Sequence, residues 1–171
     1  MNPSKSHEST KGPVVRHIVT TEGELFALLG TITRIKVSHR ETLGTFCCCE
    51  ARLPPNAFVP LHYHPDVEVF YVLKGTLEVL RMANGKTESL ALTSGEMALI
   101  PSNAMHGFRN TSGGHVNLLV IGGPGIEAFL VEAGSPRARL TSDETTAPSS
   151  DEFQRMLEVA KRHSQVFIGG R

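Results

Sequence analysis

An all-β barrel domain followed by one short helix is the fold this sequence predicts, and three observations predict it. Short apolar runs recur between Gly, Pro and Asn punctuation along residues 14–133. The pair Asn84-Gly85 stands between two such runs, and both central residues of a type I′ turn need positive φ, so a hairpin is expected there. Past residue 133 the composition shifts to Gly, Ser, Pro, Thr and charge, and then to one apolar stripe at helical spacing.

Taken in order, residues 1–13 are polar and read as a disordered N-terminal arm. Val14-Val15, the run Leu25 to Leu29, Ile35 to Val37 and Thr45 to Ala51 read as strands. Pro54, Pro55 and Pro60 interrupt the pattern, and proline cannot donate to a sheet ladder, so a loop at a barrel mouth is expected before His62. Glu68 to Leu73 and Thr76 to Met82 follow as strands, with the hairpin at 84–85 joining Leu77–Val79 to Leu90–Leu92. Met97 to Ile100, Met105 to Asn110, Val116 to Ile121 and Glu127 to Val131 complete the barrel, with Gly122-Gly123-Pro124-Gly125 as the turn before that last strand. Residues 134–171 read as a linker and a C-terminal helix. Ser149 and Glu152 have capping-box spacing, and Phe153, Met156, Leu157 and Ala160 form the stripe. That stripe would cover the barrel mouth of its own chain or a second subunit.

A chain of 171 residues suits one domain with a proper core and some extra length at each end. Seventeen basic and seventeen acidic residues cancel, which argues against nucleic acid or an acidic membrane surface as partner and leaves a neutral or small ligand. The first residues lack the apolar core of a secretory signal, and no apolar stretch reaches a membrane span, so the cytoplasm is the expected compartment. The three cysteines are consecutive, Cys47 to Cys49. Strand geometry puts Cys47 and Cys49 on one face and Cys48 on the other, so small buried hydrophobes are expected, with a thiol lining the barrel near a metal as the functional reading.

The residues that carry chemistry are His62, His64, Glu68 and His106. His62 and His64 share one face of an extended strand, and three imidazoles with one carboxylate suit one divalent transition metal ion: Fe, Mn, Ni, Co, Cu or Zn. Around them the punctuation is ordered. Asn56, His62-x-His64, Glu68 and Gly75 make one block (56–75), and Gly95, Pro101-x-Asn103, His106 and Asn110 a second (95–110).

These blocks resemble the two signature motifs of the cupins. The resemblance implies a double-stranded β-helix, or jelly-roll barrel, with the metal carried by His62, His64, Glu68 and His106. Asn56 and Asn103 replace the usual glycines, and asparagine best tolerates the positive φ both turns require. Glu41-Thr42-Leu43-Gly44, Glu68 to Gly75 and Gly125 to Phe129 are similar to the single-domain quercetinase-type cupins. That similarity implies a metal-dependent dioxygenase acting on a small enol, phenolic or diketone-like substrate, and a homodimer built on edge strands within Val14 to Leu29. A non-redox isomerase or lyase, or a small-molecule-binding cupin without catalysis, are the alternatives. Glu68 is the candidate catalytic base as well as a ligand, its basicity raised by burial unless direct coordination opposes that. By strand parity Phe70 and Val72 share its face, and Phe108 and Asn110 that of His106, so these four are expected to wall the substrate pocket.

Overall fold

The computed structural model describes residues 13–137 and 149–168. The expected N-terminal arm, apart from Pro13, and the central part of the expected linker lie outside the described residues. Seven strands, β1 (Glu24–Leu28), β2 (Thr31–Val37), β3 (Cys47–Leu53), β4 (Phe58–Tyr63), β5 (Glu68–Lys74), β6 (Thr76–Ala83) and β7 (Lys86–Thr93), lead into β8 (Met97–Ile100), β9 (His106–Arg109) and β10 (Val116–Gly122). Helix α1 (Pro124–Ala133), strand β11 (Ser135–Arg137), helix α2 (Ser150–Arg162) and strand β12 (Val166–Phe167) follow. They build two antiparallel sheets, ordered β11-β1-β2-β3-β10-β5-β8 and β12-β4-β9-β6-β7.

The strands form because their apolar residues alternate. Strand β3 is buried at every second residue, Cys47, Cys49, Ala51 and Leu53, and β5 likewise at Glu68, Phe70 and Val72. These inward rows meet Leu77, Val79, Val116 and Leu118 in one core between the sheets. At the hairpin, Asn84 and Gly85 have φ of 50° and 73°, and the register pairs Leu77 with Leu92 and Val79 with Leu90. Asn56 and Asn103 also stand at positive φ, 64° and 60°.

Four local expectations need correction. Val14-Val15 is not a strand; both residues are exposed without regular structure. Pro60 lies inside β4 rather than in a loop, at the register shift between Val59 and His62 where β4 pairs with β9. A bulge there needs no proline N–H, so the strand accommodates it. Facing it, Gly107 has no room for a side chain, since a Cβ would lie 2.8 Å from the Val59 carbonyl oxygen. Glu127 to Val131 is part of helix α1, not a strand, and the 122–125 segment opens that helix. The helical signal is present in the residues: Pro124 suits a first turn, and Ile126, Phe129, Leu130 and Ala133 recur at i, i+3, i+4 and i+7. Finally, Ser135 to Arg137, in the stretch read as linker, forms β11 and covers the edge of β1.

Helix α2 carries the expected capping box, with Ser149 accepting from the Glu152 N–H and Glu152 from the Ser149 N–H. Its apolar stripe docks on its own chain: Met156, Val159 and Ala160 pack against Phe129 and Ala133 of α1. Glu132 of α1 fastens the far end through Arg162 and His163. Glu127 ties α1 to the 38–46 loop, accepting from the Ser38 hydroxyl at 2.7 Å and the His39 N–H at 2.6 Å.

Candidate metal centre

Register brings the first two histidines together. His62 of β4 stands directly opposite His106 of β9, so their rings leave the sheet on the same side, 4.3 Å apart between centroids. His64 lies one residue beyond β4, where the chain crosses to the other sheet, and its main chain is held by the Asn103 N–H at 2.8 Å. Its ring meets that of His106 edge-on at 5.0 Å. The donor nitrogens of the three imidazoles lie within 4.8 Å of one another, and all three residues are buried. Glu68 reaches them from the opposite sheet, its Oε2 being 3.4 Å from His64 Nε2 and 3.5 Å from His106 Nε2.

Each ring is oriented by a backbone carbonyl. Nδ1 of His62 donates to Pro60 at 2.9 Å, that of His64 to Asp66 at 3.0 Å and that of His106 to Ala104 at 2.9 Å. A carbonyl only accepts, so the proton sits on Nδ1 in each ring and the Nε2 lone pair is free. The Nε2 atoms of His64 and His106 are buried without a hydrogen-bond partner. Two orphaned acceptors facing a third imidazole and a carboxylate would be costly in a plain core, and a divalent cation satisfies all of them. The donor set therefore fits a metal ion.

Electrostatics agree. Burial, then the neighbouring His106 ring, pushes the His62 imidazole down to about 4, so it is neutral at pH 7. Burial pushes His64 down too, but the Glu68 carboxylate outweighs it and holds His64 above its ordinary value. For Glu68 burial alone would favour the neutral acid, the effect expected to raise its basicity. The His106 and His64 rings beside it win, and its carboxyl falls to about 2. At 3.4 to 3.5 Å these contacts are long for hydrogen bonds and act through charge.

A further contact positions His64. The carboxylate of Asp66, whose carbonyl holds the His64 ring, sits against the start of α1 and accepts from the Gly125 N–H at 3.3 Å. A Cβ on Gly123 or Gly125 would lie 2.0 or 2.2 Å from that carboxylate, so both glycines are needed for the helix end to receive it. The glycine cluster is thus a seat for an internal anion. Asp66→Ala, which frees this turn while keeping the carbonyl, is expected to weaken metal binding about 10-fold, as other outer contacts to ligating histidines do. Competition with a chelating dye measures it.

Beside the cluster lies a cavity of about 130 Å³ lined by His62, His64, Glu68 and a mostly apolar wall. Phe70 and Phe108 are in that wall, their rings edge to face at 5.2 Å. Val72 is fully buried in the core between the sheets. Asn110 is a clip, its amide donating to Leu53, Pro54 and Gly114 carbonyls while its oxygen accepts from the Ser112 N–H and hydroxyl. Cys49 lines the cavity and Cys47 lies beside it in the core, both as free thiols. The Cys47 contact and burial hold the Cys49 thiol protonated.

Sequence reasoning missed the wall that comes from the C-terminus. Met156, Gln165 and Phe167 line the cavity, and the Phe167 ring stacks on His62 at 4.7 Å and 12°. Strand β12 reaches this place by pairing with β4 at Tyr63 and His62. Two residues are too few for a strand signal, although Val166 and Phe167 have the right character.

The family model described as Cupin domain matches residues 49–122, the segment from β3 through β10 that holds all four candidate ligands. The fold is the cupin jelly-roll barrel. The cupin barrel is similar to that of an oxalate oxidase, at 23% identity and a TM-score of 0.53, over 69% of this chain and 64% of that one. It is also similar to a predicted oxalate decarboxylase from Thermotoga maritima, at 19% identity and a TM-score of 0.53, over 64% of this chain and 98% of that one. An oxalate decarboxylase from Bacillus subtilis aligns at 21% identity and a TM-score of 0.54, over 67% of this chain and 31% of that one. The chain thus spans just under two thirds of the oxalate oxidase and about a third of the Bacillus enzyme. At these identities the likeness is one of fold. No curated protein matches the sequence. Among the described residues, no helix is long and apolar enough to cross a membrane.

Proposed function

We propose that this cupin is a metal-dependent oxygenase acting on a small, uncharged enol, phenol or diketone, with His62, His64, Glu68 and His106 as ligands. The observation that carries the reading is the composition of the cavity beside the histidines. Apart from the imidazoles and the Cys49 thiol, which is held protonated, Glu68 is the one ionisable group in its wall among the described residues, and the remainder is aliphatic, aromatic, thioether, hydroxyl or amide. A dicarboxylate such as oxalate, the substrate in the names of the structural neighbours, would find no basic side chain for its second charge. Burying that charge unpaired is costly. The size agrees, since about 130 Å³ is well below the roughly 300–1,000 Å³ of pockets for drug-sized ligands. A multi-ring flavonol is therefore disfavoured within the same chemistry.

A bound divalent ion would supply Lewis acidity and open positions for an oxygen ligand, lowering the pKa of a substrate hydroxyl. The chain's own residues do the rest. The three Nδ1–H donors keep the imidazoles in one tautomer, Glu68 stays a carboxylate that serves as a ligand or, when not coordinated, receives the substrate proton, and Phe70, Phe108 and Phe167 exclude water. The test is oxygen uptake by metal-reconstituted protein with acetylacetone and small phenols. Metal-dependent consumption is expected. Turnover of the same compounds that persists under strict anaerobiosis would instead establish the isomerase or lyase reading.

A further inference from the structure

Gln165 is 95% buried by its 5% exposure, lines the cavity, and its carboxamide makes no hydrogen bond among the described residues. Its amide atoms are not among the fully enclosed unpartnered ones, so they remain open to the cavity, where an occupant can supply the partner that the apolar wall does not. The local chain is built to hold it inward. After α2, Ser164 takes φ 54°, the Gln165 N–H returns to the Ala160 carbonyl at 2.9 Å and the Ser164 N–H to Lys161 at 3.4 Å. These are the two bonds of a Schellman turn, normally made with glycine at the left-handed position. Directly afterwards β12 locks onto β4, with Phe167 on His62 and the Ile168 N–H donating to Leu61 at 2.7 Å. Gln165 is thus pinned between a helix cap and a strand. Thr31, elsewhere in the wall, has a buried hydroxyl oxygen without a partner.

We propose that Gln165 is the substrate-reading residue of the cavity, its carboxamide taking the second oxygen of a small uncharged ligand whose first oxygen faces the histidines and Glu68. This rests on the reading that the cavity is the substrate site. A carboxamide offers a donor and an acceptor without charge, so it selects a distal hydroxyl or carbonyl over hydrogen and does not recruit a carboxylate. The ligand class is then a two-ended one, a diol, hydroxyketone or dihydroxyarene rather than a simple phenol.

The experiment compares phenol with hydroquinone, which differ in the distal hydroxyl, binding to the full chain under argon by ¹⁵N-detected NMR titration. Native protein is expected to prefer hydroquinone by about 3- to 10-fold, the range of one net hydrogen bond. Gln165→Met should bind phenol as well as the native protein does and lose the preference. The Gln165 side-chain amide signals, identified by their absence in the variant, should move with hydroquinone and stay with phenol. Gln165→Glu, of equal length and lacking the NH₂ group, provides the same assignment if the methionine variant does not fold. An unchanged preference in the variant, or amide signals unmoved by hydroquinone, would overturn the role of Gln165 and leave the cavity as a ligand site. Failure of both probes to bind native protein would overturn the cavity reading and this inference with it.

Discussion

His106→Ala and His64→Ala are each expected to abolish near-stoichiometric metal binding while the barrel stays folded. His106 faces His62 across the β4–β9 ladder, and His64 is the ring nearest Glu68, so either substitution removes a donor from the centre of the cluster. Loss of an imidazole should lower affinity by at least about 100-fold, beyond the 10- to 100-fold typical when only an outer contact is lost. Folding should survive, because each change leaves one carbonyl, that of Ala104 or Asp66, without its ring donor. That costs about 1–3 kcal/mol against a barrel core of more than a dozen buried side chains. Metal content by mass spectrometry beside circular dichroism separates the two effects. Full metal content in both folded variants would remove the site from this position.

The metal-free protein should lose stability steeply as the pH falls from 6.5 to 4. His62 is pushed down to about 4 from 6.5, so between those values the unfolded chain takes up a proton that the folded chain refuses. Stability is therefore present above the unfolded value and lost as pH falls, by about 3 kcal/mol over this window at 1.36 kcal/mol per unit. The opposing shift of His64 acts elsewhere. Its value is raised, so its contribution is complete below 6.5 and is lost only as pH rises beyond it. Glu68, lowered to about 2 from 4.5, adds a loss in the more acidic window between those two values. Urea denaturation of chelator-treated protein at pH 6.5, 5 and 4 measures the slope, and His62→Gln should flatten it. An equal slope in that variant would assign the acid sensitivity to another group.

Much of the barrel is legible in the sequence because strand signals are local. The alternation in β3 and β5, the Asn84-Gly85 hairpin and the two asparagines at positive φ depend on a residue and its immediate neighbours. The same holds for the capping box of α2, where Ser149 and Glu152 need only each other. A short apolar run fits two periods at once, and tertiary context chooses between them. Glu127 to Val131 resembles a strand when taken alone, although Pro124 and the recurrence at Ile126, Phe129, Leu130 and Ala133 mark a helix. Pro60 misled for the opposite reason, since a proline excluded from a regular ladder is accepted at a bulge that only the pairing with β9 creates.

For the site, the sequence by itself determined the candidate ligand types: two histidines two apart, a glutamate four residues after the second and a histidine in a separate block, within an ordered frame of Gly, Pro and Asn. What only the tertiary structure decided is which atoms face one another. The β4–β9 register sets His106 against His62, three carbonyls choose the tautomers, and Asp66 holds the His64 turn through the start of α1. It also decided that Asn110 is consumed as a backbone clip while Gln165 and Phe167, about sixty residues further on, close the cavity. The physical reason is one of range. Backbone propensity and side-chain alternation act over a few residues, whereas register, cavity shape and the balance between burial and neighbouring charge arise only when distant strands share one interior.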